Sequence, residues 1–347
     1  VTPGARRAAV LAVLGTSLLA AVVVAVASGS VAVPLGETAR ILVGLAPDDP
    51  RWTVVVESVR LPRALTAALA GAALGVAGLQ MQTLFRNPLA DPFSLGVSSG
   101  ASLGVALVVT GAGTAAGGFT AGFAAAGRVG TVGAAALGGA LVLSGILALS
   151  RLVRSAVTLL VIGVMAGAAA TAVVSLMLTW TDPLRAQQFV AWGLGSFAGT
   201  TWADLGVFGP VTLAGLAVAW LSAKPLNALL LGENYARTMG LNVRRARLVT
   251  LLGASVLAGA VTAFCGPIGF LGIAVPHVAR RLIGTSDHRV LLPATLLCGA
   301  VAALLCSVAS HLPGGGVLPI NVVTALVGAP IVIVVLLRSR RLDGAVS

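Results

Sequence analysis

Two arginines three residues apart, in Arg60-Leu61-Pro62-Arg63, are the chain's clearest candidates for recognising an acid. On a helix, Arg60 and Arg63 can present both guanidiniums on one side to carboxylates, and Pro62 between them stiffens the helix start. A second candidate is Leu231-Gly232-Glu233-Asn234-Tyr235-Ala236-Arg237-Thr238-Met239-Gly240-Leu241. Gly232 and Gly240 can bound a short helix there, whose Tyr235 and Met239, four apart, share a face.

Other chemistry is excluded by what the residues lack. Gly96-Val97-Ser98-Ser99-Gly100 and Gly100-Ala101-Ser102-Leu103-Gly104 both match G-x-S-x-G, but the chain has 44 glycines, so the match is cheap. A nucleophile elbow needs a strand-to-helix turn with His and acid partners, whereas an apolar helix begins here. No G-x-x-x-x-G-K-[ST] occurs, and Lys224 is the sole lysine, followed by Pro225, so no P-loop can hold nucleotide phosphates. His277, His288 and His311 share no helix face, which leaves no metal cage and makes them capping or interfacial residues. Cys265, Cys298 and Cys306 lie in apolar stretches without CxxC spacing and read as small hydrophobes.

The elements that must position these residues follow from composition. The 347 residues are 58% hydrophobic and 9% charged, with a mean hydropathy of +1.03. A soluble chain carries about 25% charged residues, so this one cannot cover a water-facing surface and must sit in a membrane. Its many glycines and few aromatics suit helices that approach closely in lipid. A span needs about 20 apolar residues. Charge-free stretches near that length run over 8–36, 64–85, 92–127, 129–150, 155–181, 205–223, 248–279, 290–319 and 320–337. The 248–279 stretch is too long for one span, and Gly266-Pro267 sits in it where proline cannot donate to a helix ladder. It is expected to be a helical hairpin broken at Cys265-Gly266-Pro267-Ile268-Gly269, which makes ten crossings of an all-α protein. Residues 111–127, rich in glycine, alanine and threonine, are expected to form a loop. Arg6-Arg7 and an Ala25-Val26-Ala27 sequence also suit a signal peptide. The first apolar run of about 20 residues exceeds the usual signal core of about 7 to 15, so it is expected to be the first span.

Charge tests the count. With ten crossings and residues 1–7 inside, sixteen of the 22 basic residues and four of the ten acidic ones lie inside, and six of each lie outside. The whole net charge of +12 then faces the cytoplasm, as the positive-inside tendency requires. A single crossing by residues 248–279 would move Arg280, Arg281 and Arg289 outside and spoil that balance. The basicity thus sets orientation and does not point to nucleic acid. No Asp, Glu, Lys or Arg lies near the middle of a span, where ion-coupled carriers place theirs, which weakens the alternative of a stand-alone carrier or channel.

Three patterned segments remain. Arg60 to Arg63 is followed by Gly71 to Gln82 and by Asn87-Pro88-Leu89-Ala90-Asp91-Pro92; Gly266 to Phe270 leads to Val275-Pro276-His277-Val278-Ala279-Arg280 and Ser286-Asp287-His288-Arg289; Leu318-Pro319-Ile320-Asn321 opens the last apolar run, which ends on Gly328-Ala329-Pro330. In this order and spacing, over residues 60–338, the chain resembles the FecCD or BtuC-like permease family of ABC importers for iron-siderophores, haem and vitamin B12. The resemblance implies one ten-helix permease domain over residues 1–347, with residues 224–247 as a cytoplasmic coupling loop and 338–347 as a cytoplasmic tail. It implies a bacterial cytoplasmic membrane with both termini cytoplasmic. A second permease copy, two ABC ATPase subunits holding ATP and magnesium, and an extracytoplasmic binding protein are the implied partners, with no cofactor in this chain.

By the same resemblance, Arg60 and Arg63 dock glutamates of the binding protein, and Gly232, Glu233, Tyr235, Ala236, Met239 and Gly240 belong to the segment seated in the ATPase. Asn87 and Leu89 match positions that narrow the inner mouth, and Ala156 and Val157 match the other constriction. Residues 187–201 resemble a short outer helix beside the vestibule. One departure stands out. Where the family commonly carries an arginine ahead of a Glu-Leu-Pro-Val-Gly sequence, this chain has Ser310-His311 and then Val317-Leu318-Pro319-Ile320-Asn321. Part of the usual outer contact is therefore missing or rebuilt. Among the family's cargoes a ferric siderophore leads on abundance, ahead of haem and cobalamin.

Overall fold

The computed structural model describes residues 3–29, 33–110, 127–150, 152–153, 156–311 and 316–343. Among these residues the secondary structure is helical, apart from an isolated antiparallel bridge between His311 and Val317. In chain order the helices are α1 (Pro3–Ala27), α2 (Leu35–Leu42), α3 (Pro50–Val55), α4 (Leu61–Phe85), α5 (Val97–Val109), α6 (Gly127–Ser150), α7 (Ala156–Thr179) and α8 (Pro183–Gly193). They continue with α9 (Trp202–Leu221), α10 (Ala223–Leu230), α11 (Glu233–Thr238), α12 (Val243–Cys265), α13 (Leu271–Ile283), α14 (His288–Ala309) and α15 (Ile320–Asp343).

Seven of the described segments are long and apolar enough to cross a membrane: α1, the continuous run Pro50–Phe85, α6, α7, α9, α12 and α14. Helices α5 and α15 add shorter apolar lengths. The long 248–279 stretch is broken where proline requires it: α12 stops at Cys265 and α13 starts at Leu271. Gly266 takes φ +76° and Phe270 φ +68°, so the chain turns through the left-handed region at both ends of the break. Each segment expected to cross therefore holds a helix. The glycine-rich segment expected as a loop falls on residues 111–126, outside the described residues, and Gly127 already opens α6.

Local chemistry explains several boundaries. Pro62 has no N–H for the helix ladder, and just before it Val56–Arg60 forms a π turn in which the Leu61 N–H reaches back to the Val56 carbonyl. Asp49, Asp91, Asp182 and Asp287 each accept a hydrogen bond from the backbone N–H two residues on, capping the helical turn that follows. Four of the chain's ten acids are thus spent on starting helices.

The chain forms two compact units, one of Val1–Leu79, Phe197–Val207 and Ile268–Ser347, the other of Gln80–Ser196 and Phe208–Pro267. In the first, α1 packs on α14, and α14 packs on α13 and α15. Gly71 of α4 faces Gly299 of α14, and Gly78 of α4 faces Gly272 of α13, so closely that a Cβ at either α4 glycine would collide with the opposing carbonyl. Backbone contact of this kind replaces the hydrophobic drive that lipid removes. The second unit repeats the device between α5 and α6, where Gly100 and Gly104 meet Gly138 and Ala134. A core of Ala101, Val105, Ala135 and Ala263 ties α12 to that pair.

Candidate functional site

In the second unit, α11 is the short helix that the two glycines delimit. Gly232 precedes it at φ +104° and Gly240 follows it at φ +80°, conformations in which a Cβ is strained. One side of α11 is held down. Ala236 is fully buried, and Glu233 Oε1 accepts a hydrogen bond from Arg247 Nη2 of α12 at 2.5 Å. Arg237 adds a longer ion pair to Glu233 Oε2 at 3.5 Å, one helical turn on. The other side is free: Tyr235 is 55% and Met239 61% exposed. A polar and apolar side chain are thus offered outward by a helix whose orientation is fixed by a carboxylate between two guanidiniums.

The fixing residue was the less legible one. Arg247 stands among Arg244, Arg245 and Arg247, a basic run whose bland reading is orientation in the membrane. It is only 7% exposed, because its place on α12 turns it inward, towards Glu233. No local signal separates it from its two neighbours; the pairing needs the fold.

A cleft of about 730 Å³ opens beside α11. Phe85 and Arg86 at the end of α4, Val157 at the start of α7, and Gly232, Glu233 and Tyr235 line it. It brings together three of the six residues matched to the ATPase-seated segment and one of the four matched to a gate. Ala156 starts α7 one residue earlier. Asn87 and Leu89 sit in the adjoining turn, in which Asn87 Oδ1 accepts the Leu89 N–H at 2.9 Å and Leu89 is exposed. The turn leaves α4 through Arg86, at φ +49°, whose N–H bonds to the Thr83 carbonyl while that of Asn87 bonds to Gln82. Asp91 closes the turn by accepting the Phe93 N–H at 2.7 Å. Burial pushes the Asp91 carboxyl up to about 6, against the stabilising effect of that N–H.

In the first unit the two arginines bond to different helix ends. Arg60, 5% exposed, donates from Nη1 to the Val26 carbonyl at 3.1 Å and the Ala27 carbonyl at 2.7 Å, at the C-terminus of α1. Gly29 makes room for it, since a Cβ there would stand 2.9 Å from Nη2. Arg63 reaches the end of α14, donating from Nη2 to the Ser307 carbonyl at 3.1 Å and to the hydroxyls of Ser307 and Ser310 at 3.2 and 3.3 Å. Its Nη1 donates to Nε2 of His311. The physical reason is the unpaired carbonyls of a helix C-terminus, which attract cations where water is scarce. His311 is the partner that spacing could not supply. Its one sequence signal is that the resemblance implies an arginine at Ser310 or His311.

Among the described residues, no three His, Cys, Asp or Glu side chains gather as metal ligands. The three cysteines are buried as free thiols.

Residues 17–338 match the FecCD transport family. The chain is 35% identical over 341 residues to the uncharacterized ABC transporter permease protein YvrB of Bacillus subtilis, covering 95% of this chain and 94% of that one. It is 37% identical over 306 residues to the vitamin B12 import system permease protein BtuC of Salmonella typhi, covering 86% and 89% of the two chains. Among solved structures, a metal-chelate type ABC transporter in an inward-facing conformation superposes with a TM-score of 0.81 at 29% identity, over 94% of this chain and 98% of that one.

Proposed function

Because the chain belongs to the FecCD transport family, being a multi-span permease of an ABC importer of the FecCD/BtuC type, we propose that it carries a ferric-siderophore-class chelate into the cytoplasm. Two partner ATPases supply the work, and a second copy of the chain completes the pathway. An extracytoplasmic binding protein delivers the cargo to the side that bears Arg60 and Arg63. The observation that carries the coupling role is α11: Glu233 and Ala236 anchor it, and Tyr235 and Met239 are left exposed for a partner's cleft. A helix held by one face transmits a push without folding away, which is what coupling ATP hydrolysis to a membrane gate demands. The cleft beside it, with Val157, Ala156 and the Asn87 to Leu89 turn, is the matching place for the inner gate.

Ten crossings with both termini cytoplasmic fit this assignment, since they put α11 and the cleft on the cytoplasmic side with the excess positive charge. Co-purification with its ATPase and ATP turnover in proteoliposomes test the proposal. Tyr235→Ala with Met239→Ala is expected to abolish substrate-stimulated turnover. Transport that runs without any ATPase would instead establish a stand-alone carrier. Uptake of an iron-loaded siderophore against cobalamin decides the cargo; uptake of cobalamin alone would align the chain with its BtuC relatives.

A further inference from the structure

We propose that His311 is the second cation of the docking site, and that docking of the binding protein's carboxylate takes up a proton at its imidazole. The inference rests on the reading of Arg63 as a docking residue. It begins from how Arg63 is held.

Both ring nitrogens of His311 face Arg63. Nδ1 lies 3.0 Å from the Ser307 carbonyl, which can only accept, and 3.2 Å from Arg63 Nη2, which has other acceptors in Ser307 and Ser310; we therefore assign the proton to Nδ1, on the nearer carbonyl. Nε2 is then a lone pair, and it accepts from Arg63 Nη1. The ring is neutral, and its neutrality is what seats the guanidinium. Among the described residues the remaining partners of Arg63, beyond the His311 ring, are the Ser307 carbonyl and the Ser307 and Ser310 hydroxyls, all uncharged, while its buried Nε meets no acceptor. Among the described residues, no carboxylate answers the charge of Arg63.

Protonation of Nε2 would set two donors against each other. The Arg63 contact breaks, and the site becomes two cations that need an anion. A carboxylate arriving from outside supplies it, accepting from Arg63 and from Nε2–H together. The proton and the carboxylate therefore favour each other, and each is disfavoured alone. The charged groups facing His311 are Arg63 and Arg60, both cationic; the Ser307 and Val308 carbonyls favour protonation weakly. Burial first, and Arg63 second, hold the imidazole below its ordinary range while Arg63 is seated. The seated state thus binds fewer protons than the docked one, so docking tightens as pH falls. This also accounts for an arginine expected to meet a partner yet folded onto its own chain: neutral acceptors hold the resting guanidinium in place and leave its charge to be answered.

Two measurements on the full chain in nanodiscs test it. With only three histidines in the chain, the His311 imidazole can be followed by NMR through a pH titration, in sodium acetate against sodium chloride at equal ionic strength. Acetate is expected to raise the His311 midpoint in the wild type. Arg63→Gln is expected to raise it in chloride and to remove the acetate effect. No response to Arg63→Gln, or none to acetate, overturns the proposal. The second measurement is the affinity of the binding protein that co-purifies with the importer. The wild type is expected to bind about tenfold tighter near about pH 5.5 than near about pH 7.5, and His311→Gln to flatten that ratio. His311→Arg, which keeps the charge, is expected to bind tightly at both. If Arg63→Gln leaves affinity unchanged, the docking reading itself fails. If affinity depends on Arg63 while His311→Gln keeps the full pH ratio, docking stands and the proton linkage falls.

Discussion

Arginine is used in opposite ways at the two sites. Around α11, a single carboxylate, Glu233, sits between Arg247 and Arg237, so its charge is answered within the chain. At the helix ends in the other unit, Arg60 and Arg63 rest on carbonyls, hydroxyls and an imidazole. A closed ion pair fixes a helix and has nothing left to offer. Arg63, whose acceptors among the described residues are all neutral, is positioned but keeps a charge that no carboxylate answers, and it can exchange those acceptors for a better one. The first arrangement suits a mechanical element; the second suits a contact that must form and release.

Breaking the closed pair should have the largest effect. Arg247→Ala leaves Glu233 with only the 3.5 Å contact to Arg237 and removes a side chain that is 7% exposed. The expected loss is about 3 kcal/mol, read as a lowered unfolding midpoint in lipid nanodiscs. Adding Glu233→Gln to Arg247→Ala should cost little more, because the pair acts as one unit; additive losses would show that the two residues are independent. Next comes Arg60→Ala, which removes hydrogen bonds from a charged donor to one buried and one part-buried carbonyl and is expected to cost about 2 kcal/mol. A loss equal to that of Arg247→Ala would erase the distinction between an arginine held by a carboxylate and one held by carbonyls.

The smallest effect sharpens the comparison from the acid's side. Asp91 has backbone N–H and hydroxyl neighbours but no arginine partner among the described residues, and its carboxyl is held at about 6. A folded value above the unfolded one means that the folded state holds the proton more tightly. The contribution of Asp91 to stability is therefore present below about pH 4 and is lost as pH rises through about 6. Asp91→Asn should flatten the unfolding midpoint between these limits. An unchanged slope would assign that pH dependence to other carboxylates.

Much of this was legible in the residues. Hydropathy located the helices, and Gly266-Pro267 located the break in the 248–279 stretch, because proline's missing N–H acts on its own turn. Gly232 and Gly240 bounded α11, because positive φ is a property of one residue. The face shared by Tyr235 and Met239 followed from helical periodicity alone. The arginines were not legible in the same way. Arg60 and Arg63 lie three apart, and nothing local to them said that Arg60 would bond to the end of α1 and Arg63 to the end of α14.

What the sequence determined by itself is therefore what depends on neighbours along the chain: a membrane protein of apolar helices, its interruptions, its family and the short helix between two glycines. Tertiary structure decided which partner each charged side chain took. Arg60 meets carbonyls 33 and 34 residues away, Arg63 meets an imidazole 248 residues away, and Arg247 meets a carboxylate 14 residues away. A guanidinium at the end of a flexible stem goes to whichever acceptors the packed helices bring within about 3 Å, and glycines such as Gly71 and Gly299 let the backbones of α4 and α14 pack in contact.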